Sequence, residues 1–75
     1  MSGQAEELGR IIRGEIEEIW SLVAEDGGSA AIRLETVRVA GDERSVNYMG
    51  FETFYESDAP EPIKNRLRQR GLVPK

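Results

Sequence analysis

Between Ser2 and Asp26 the apolar residues recur at helical spacing. Placed at about 100° per residue, Ala5, Leu8, Ile11, Ile12, Ile16, Ile19, Trp20, Leu22 and Val23 share one half-turn sector. Arg10, Arg13, Glu17, Glu18 and Ser21 fall on the other side. The pattern predicts one long amphipathic helix over about residues 3–26. Ser2 is placed as its N-cap, Glu6 and Glu7 complement the positive end of its dipole, and Gly27-Gly28 stops it. Gly9 and Gly14 each weaken such a helix by roughly 1 kcal/mol relative to alanine, or permit another backbone to come close. Glu15 breaks the apolar sector. At the sector's edge its carboxylate reaches water; if buried, it needs an arginine, for which Arg66 or Arg68 is the candidate.

The period then changes. From Ser29 to Val39 apolar and polar residues alternate, but Ile32 and Leu34 have the opposite parity to Val37 and Val39. Such a slip either puts apolar residues on both faces of a strand or marks a bulge near Glu35-Thr36. Gly41-Asp42 suits a turn, and Ser45–Tyr55 reads as the returning strand, with Gly50 as a further irregularity. A hairpin over about 30–40 and 44–55 is the expectation. Asp58 and Glu61 fit a capping box around Pro60, and Ile63 and Leu67 form an i, i+4 seam. Gly71 fits the left-handed position after the helix end, with Leu72 beside Leu67 and Pro74 barring continuation. This predicts a helix over about 59–70. The expected fold is a single α+β domain over residues 1–75, ordered α-β-β-α. Its long N-terminal amphipathic helix packs on an antiparallel β-hairpin, followed by the short C-terminal helix.

Size makes the first element conspicuous. As a helix, residues 4–25 extend about 33 Å, whereas a compact chain of this length has a diameter of roughly 28 Å. A two-stranded hairpin and a short helix offer little to cover a half-circumference apolar face. The excess predicts a protein partner, with self-association into a homodimer through the helix or the hairpin edges as the simplest form. Ile11 and Trp20, at opposite margins of the sector, are the candidate contacts.

Composition narrows the chemistry. Cysteine and histidine are both absent, which removes disulfides, zinc–thiolate sites and the usual near-neutral proton shuttle. The serines have no histidine to activate them, and Glu35 with Glu52, placed on neighbouring strands, reads as solvated face residues rather than an acid–base pair. Glu25-Asp26-Gly27-Gly28 and Glu56-Ser57-Asp58 lack calcium-loop spacing and suit helix ends. No enzyme activity, cofactor or metal is expected. No apolar run approaches a membrane span and no signal peptide opens the chain, so a cytoplasmic protein without membrane association is expected.

Charge is unevenly spread. The net of −4 divides into −5 over residues 1–26, −2 over 27–57 and +3 over 58–75. Lys64, Arg66, Arg68 and Arg70 on the last helix, near Tyr48, Phe51, Phe54 and Tyr55, could meet nucleic acid. The acidic whole opposes this, and last-turn cations complement a helix dipole without any ligand. Glu6, Glu7, Glu17 and Glu18 on the first helix could instead imitate phosphates. The functional expectation is a non-enzymatic protein–protein interaction module: a small inhibitor, adaptor or accessory subunit. Its sharpest form is a viral inhibitor, phage- or mobile-element-encoded and anti-CRISPR-like, of a host nucleic-acid-handling complex. The alternative is a small nucleic-acid-binding regulator using the basic C-terminal helix. Ile11, Glu17, Glu18, Trp20, Arg66 and Arg70 are the expected partner-binding residues.

Overall fold

Gly14 decides the first third of the chain. It adopts φ +62°, and Glu15 after it keeps a negative φ. That sign pattern is the one a two-residue hairpin with glycine first requires. Arg13 consequently sits opposite Ile16, and the chain doubles back instead of continuing as a helix. The computed structural model describes residues 5–26, 29–56 and 59–72, with the side chains of Asp26 and Ser29 excepted. Within them run strands β1 (Glu6–Arg13), β2 (Ile16–Asp26), β3 (Ser29–Arg38) and β4 (Arg44–Gly50). Helices α1 (Phe51–Glu56) and α2 (Glu61–Gln69) follow. All neighbouring strands are antiparallel, in the order β1-β2-β3-β4.

The expected N-terminal helix is therefore absent, and the α-β-β-α order gives way to β-β-β-β-α-α. Two bulges explain why the sequence imitates a helix. The register shifts between Glu7 and Gly9, and again between Leu22 and Ala24. At the first, the extra residue lets Leu8 join Ile11 on one face of the sheet, three positions apart rather than two. Spacings of three and four across a bulge and a turn reproduce the helical period without a helix. The β-branched content of the segment (Ile11, Ile12, Ile16, Ile19, Val23) agrees with strands. Ser2, Gly27 and Gly28, expected to begin and end that helix, lie outside the described residues.

Other boundaries also move. The parity slip in β3 is not a bulge, because its register with both neighbours runs without a shift through Glu35 and Thr36. Ile32 and Leu34 face one side and Val37 the other. The returning strand, expected to run to Tyr55, ends at Gly50, and Phe51–Glu56 turns into α1. Phe51 and Phe54, spaced i, i+3, bury together on one side of that turn. Helix α2 is capped at Pro60 with no side-chain cap bond; Asp58, expected as the cap in an Asp58–Glu61 box, lies outside the described residues. Its far end carries paired carbonyls: the Leu72 amide donates to Leu67 O at 3.0 Å and the Gly71 amide to Arg68 O at 2.9 Å. Gly71 has φ +79°, as the left-handed position there demands.

Both helices lie on one face of the sheet, α1 against β3 and β4, and α2 against β1. The core between the layers holds Leu8, Trp20, Leu22 and Ile32 from the strands, and Phe51, Phe54, Ile63, Leu67 and Leu72 from beyond them. Trp20 and Phe54 stack at 5.0 Å between centroids, tilted by 40°. An added Cβ on Gly9 would lie 2.8 Å from Ile63 Cδ1, so the absence of a side chain there lets α2 approach β1. Tyr55 ties the helices together. Its hydroxyl donates to Leu72 O at 2.7 Å and lies 3.3 Å from Lys64 O, while Arg68 stands 5.7 Å over its ring.

Burial raises the Tyr55 phenol above its ordinary value, and the Arg68 charge offsets part of that rise. A raised folded-state pKa favours the protonated form, so this stabilisation is complete below pH about 10 and is lost as pH rises through the folded value. Tyr55→Phe is expected to destabilise the fold by about 1–2 kcal/mol at neutral pH, because the Leu72 carbonyl loses its donor. The variant should also lose part of the alkaline destabilisation. Urea melts at pH 7 and pH 11 measure both effects; equal stability of the two proteins at pH 7 would contradict the tie.

Candidate interaction surface

Among the described residues both helices stand on one side of the sheet and none covers the other, and pairing fixes what stands there. Residues opposed across neighbouring strands share a face, so the register assembles the open face in rows. The first row is Ile12, Glu17, Val37 and Arg44; the second is Arg10, Ile19, Glu35 and Val46. The third is Glu7, Ser21, Arg33 and Tyr48, and beyond it Ala24, Ala31 and Gly50 form a strip of small residues. Each of the three long rows carries one glutamate and one arginine. Among their apolar members, Ile12 is 70%, Tyr48 66% and Val46 44% exposed.

The charges are organised as well as balanced. Arg10 bridges Glu7 at 3.1 Å and Glu17 at 3.7 Å, and its guanidinium pKa is raised by the hydrogen bond to Glu7 and by the charge of both acids. Arg44 pairs with Glu35 at 3.0 Å. Arg33, in the middle, makes no ion pair among the described residues, and its buried Nε has no hydrogen-bond partner. A buried donor left unpaired is costly to the fold. Ser21, small and set between Glu7 and Arg33 in register, is 2% exposed.

The six residues expected to bind a partner do not meet on one surface. Trp20 is 5% exposed and packed in the core, and Ile11 is half-buried against that core from the same side. Glu17 stands on the open face, whereas Glu18 lies on the helix-covered side, where its carboxylate accepts from Trp20 Nε1 at 3.3 Å and forms an ion pair with Arg13 at 3.3 Å. Glu6 likewise faces the helices and meets Arg70 at 3.0 Å. Glu6, Glu7, Glu17 and Glu18 are therefore split between two faces, and the acidic helix surface meant to imitate phosphates does not exist. Glu15 sits in the β1–β2 turn with its carboxylate in water, 3.9 Å from Arg38 rather than from Arg66 or Arg68. Glu52 lies in α1 instead of opposite Glu35.

The basic tail is largely neutralised within the chain. Arg70 also reaches Glu25 at 3.5 Å, and Glu61 lies 4.0 Å from Lys64 and 3.9 Å from Arg68. Arg66 is exposed and has no ion pair among the described residues. A small depression beyond the helices is lined by Ile16, Thr36, Arg38, Glu43, Arg44 and Ser45. Its volume of about 180 Å³ is below the ~300 Å³ at which drug-sized ligand sites begin. Among the described residues no His, Cys, Asp or Glu cluster is arranged to hold a metal ion, and no helix is long and apolar enough to cross a membrane.

The open face is the surface that sequence reading missed. Its signal was the interleaving of Ile12, Ile19, Val37 and Val46 with single charges, legible only once the strand register is known. Comparisons with protein-family models, with characterised proteins and with solved structures found no match.

Paired cations and a charge-balanced sheet face give a phosphate backbone little to hold. A fluorescently labelled random duplex at low ionic strength is expected to show no anisotropy change on titration with the protein. Saturable binding with a steep salt slope would contradict this account of α2.

Proposed function

We propose that the chain is a non-enzymatic protein-binding module whose open sheet face docks on another protein. The observation that supports it most is the bare face itself: four strands wide, with Ile12, Val46 and Tyr48 exposed among three acids and three arginines. Apolar side chains within a polar frame are the composition of a protein interface, where an aromatic anchor supplies area and charges set orientation. Tyr48 is the anchor, and Arg33, which makes no ion pair among the described residues, is the charge that meets a carboxylate or carbonyl of the partner. Zero net charge on the three long rows favours a protein over a polyanion.

An inhibitor, adaptor or accessory subunit works by this kind of contact. Its energy comes from covering apolar surface, at about 25 cal/mol per Å² before the cost of association. A catalytic reading has less support. The displaced phenol of Tyr55 is engaged in holding α2, and the raised Arg10 belongs to a surface ion-pair cluster.

Position-specific photo-crosslinking in cells tests the reading. A benzophenone amino acid at position 48 or at position 12 is expected to capture the same protein, and one at position 66 on α2 should not. Arg33→Glu should abolish capture from position 48 while leaving the melting temperature within a few degrees. Capture from position 66 alone, or capture from 48 that Arg33→Glu leaves unchanged, would contradict this binding mode.

A further inference from the structure

The strand order leaves two edges, β1 and β4, and they are not equivalent. β1 is interrupted by the bulge at Glu7/Gly9 and carries Glu6, Glu7, Arg10 and Arg13 among its eight residues. Bulges and charges are the devices by which an edge strand avoids pairing with another chain. β4 has neither protection beyond its first residue. Its register against β3 runs from Arg44 to Gly50 without a shift, and Ser45–Gly50 contains no charge and no proline. Six of its seven residues are exposed, with Met49 partly buried.

We propose that β4 pairs antiparallel with β4 of a second copy of this chain, about a two-fold axis at Asn47, to form a continuous eight-stranded sheet. The midpoint of the strand picks the register. Centred on Asn47, all seven residues pair over about 24 Å, with Arg44 opposite Gly50, Ser45 opposite Met49 and Val46 opposite Tyr48. Parity is respected throughout, since 44, 46, 48 and 50 belong to the open face and 45, 47 and 49 to the helix side. The Val46–Tyr48 pair occurs twice by symmetry and joins a β-branched to an aromatic side chain, a favourable cross-strand combination. It sets side by side two of the large apolar side chains that the single chain leaves exposed, with their outer surfaces still on the open face. Gly50 has open space where a Cβ would stand and pairs with Ala31 on β3, which leaves room for the partner's Arg44 stem. An isologous pairing of this kind closes on itself, whereas joining β4 to the bulged, charged β1 edge would propagate without end.

The pairing is carried by the backbone edge of β4 and does not depend on the binding reading, although Val46 and Tyr48 border both the edge and the open face. The axis runs perpendicular to the sheet, keeping all helices on one side and merging the two open faces. The interface is small against a standard ~1,600 Å², so the dimer is a dissociable one.

Sedimentation velocity from about 10 µM to 1 mM, the range suited to a small interface, is expected to show a reversible monomer–dimer equilibrium. Asn47→Lys and Asn47→Asp each place like charges across the axis and should each weaken the dimer by about tenfold or more. Mixing the two variants should restore it as a heterodimer. The chain has no cysteine, so Asn47→Cys should give a disulfide-linked dimer on mild oxidation, and Ile12→Cys on the far side of the sheet should not. Circular dichroism checks that each variant keeps its fold. A wild-type chain monomeric across the whole range would overturn the proposal. So would Asn47 charge variants that dimerise normally while Ile12→Lys or Val37→Lys abolishes assembly, since that result assigns the contact to the open face.

Discussion

The packing of two short helices on a single face of the sheet is the constraint from which the other features descend. Phe54 of α1 reaches Trp20 in the second strand, and Ile63 and Leu67 of α2 reach the first strand where Gly9 makes room. These contacts bury Leu8, Leu22 and Ile32 as well and leave a two-layer molecule with principal extents of 39 × 30 × 17 Å. Helices of nine and six residues cannot also cover the opposite side. Among the described residues the opposite face is therefore left uncovered, and it carries isolated apolar residues set among charges that, Arg33 apart, are paired. Such ion pairs contribute at most about 1 kcal/mol each in water. Their larger effect is to keep the exposed apolar side chains from forming one greasy patch.

Energetically the two faces have different roles. The helix-covered side supplies stability through fully buried Phe54, Ile32, Ile63 and Leu67. Truncating one of these to alanine costs about 2–5 kcal/mol, a large part of the stability of any small domain. The open side contributes little to folding, which leaves its residues free to be chosen for contact. Arg33 carries that contrast within one side chain: its Nε is buried and unpaired, a cost that the fold alone does not repay.

What could be read from sequence followed the punctuation. Gly71 takes the left-handed conformation after α2, and Leu72 returns to Leu67 as their spacing implied. Gly41-Asp42 falls between β3 and β4, and Ile63 and Leu67 do form the buried seam of α2. What misled was periodicity taken without its interruptions. A positive-φ glycine at position 14 and two bulges turned period two into an apparent period of three to four. Within a helix Gly14 reads as a soft spot or a point of close backbone approach, whereas it is the turn itself. Trp20, expected at a margin, became the centre of the core because the strand, unlike the helix, aims it at α1. The partner expected from a surplus of helical surface survives as a proposal on different grounds, the bare face and the free β4 edge.

The whole architecture rests first on residues 6–26 being two strands joined at Gly14. Backbone NMR of the isotopically labelled chain tests this most directly. It predicts interstrand contacts linking Arg10 with Ile19 and Ile12 with Glu17, and no contacts between the Ile12 or Tyr48 side chains and either helix. A continuous ladder of i, i+3 contacts running through Gly14 from Leu8 to Leu22 would contradict it.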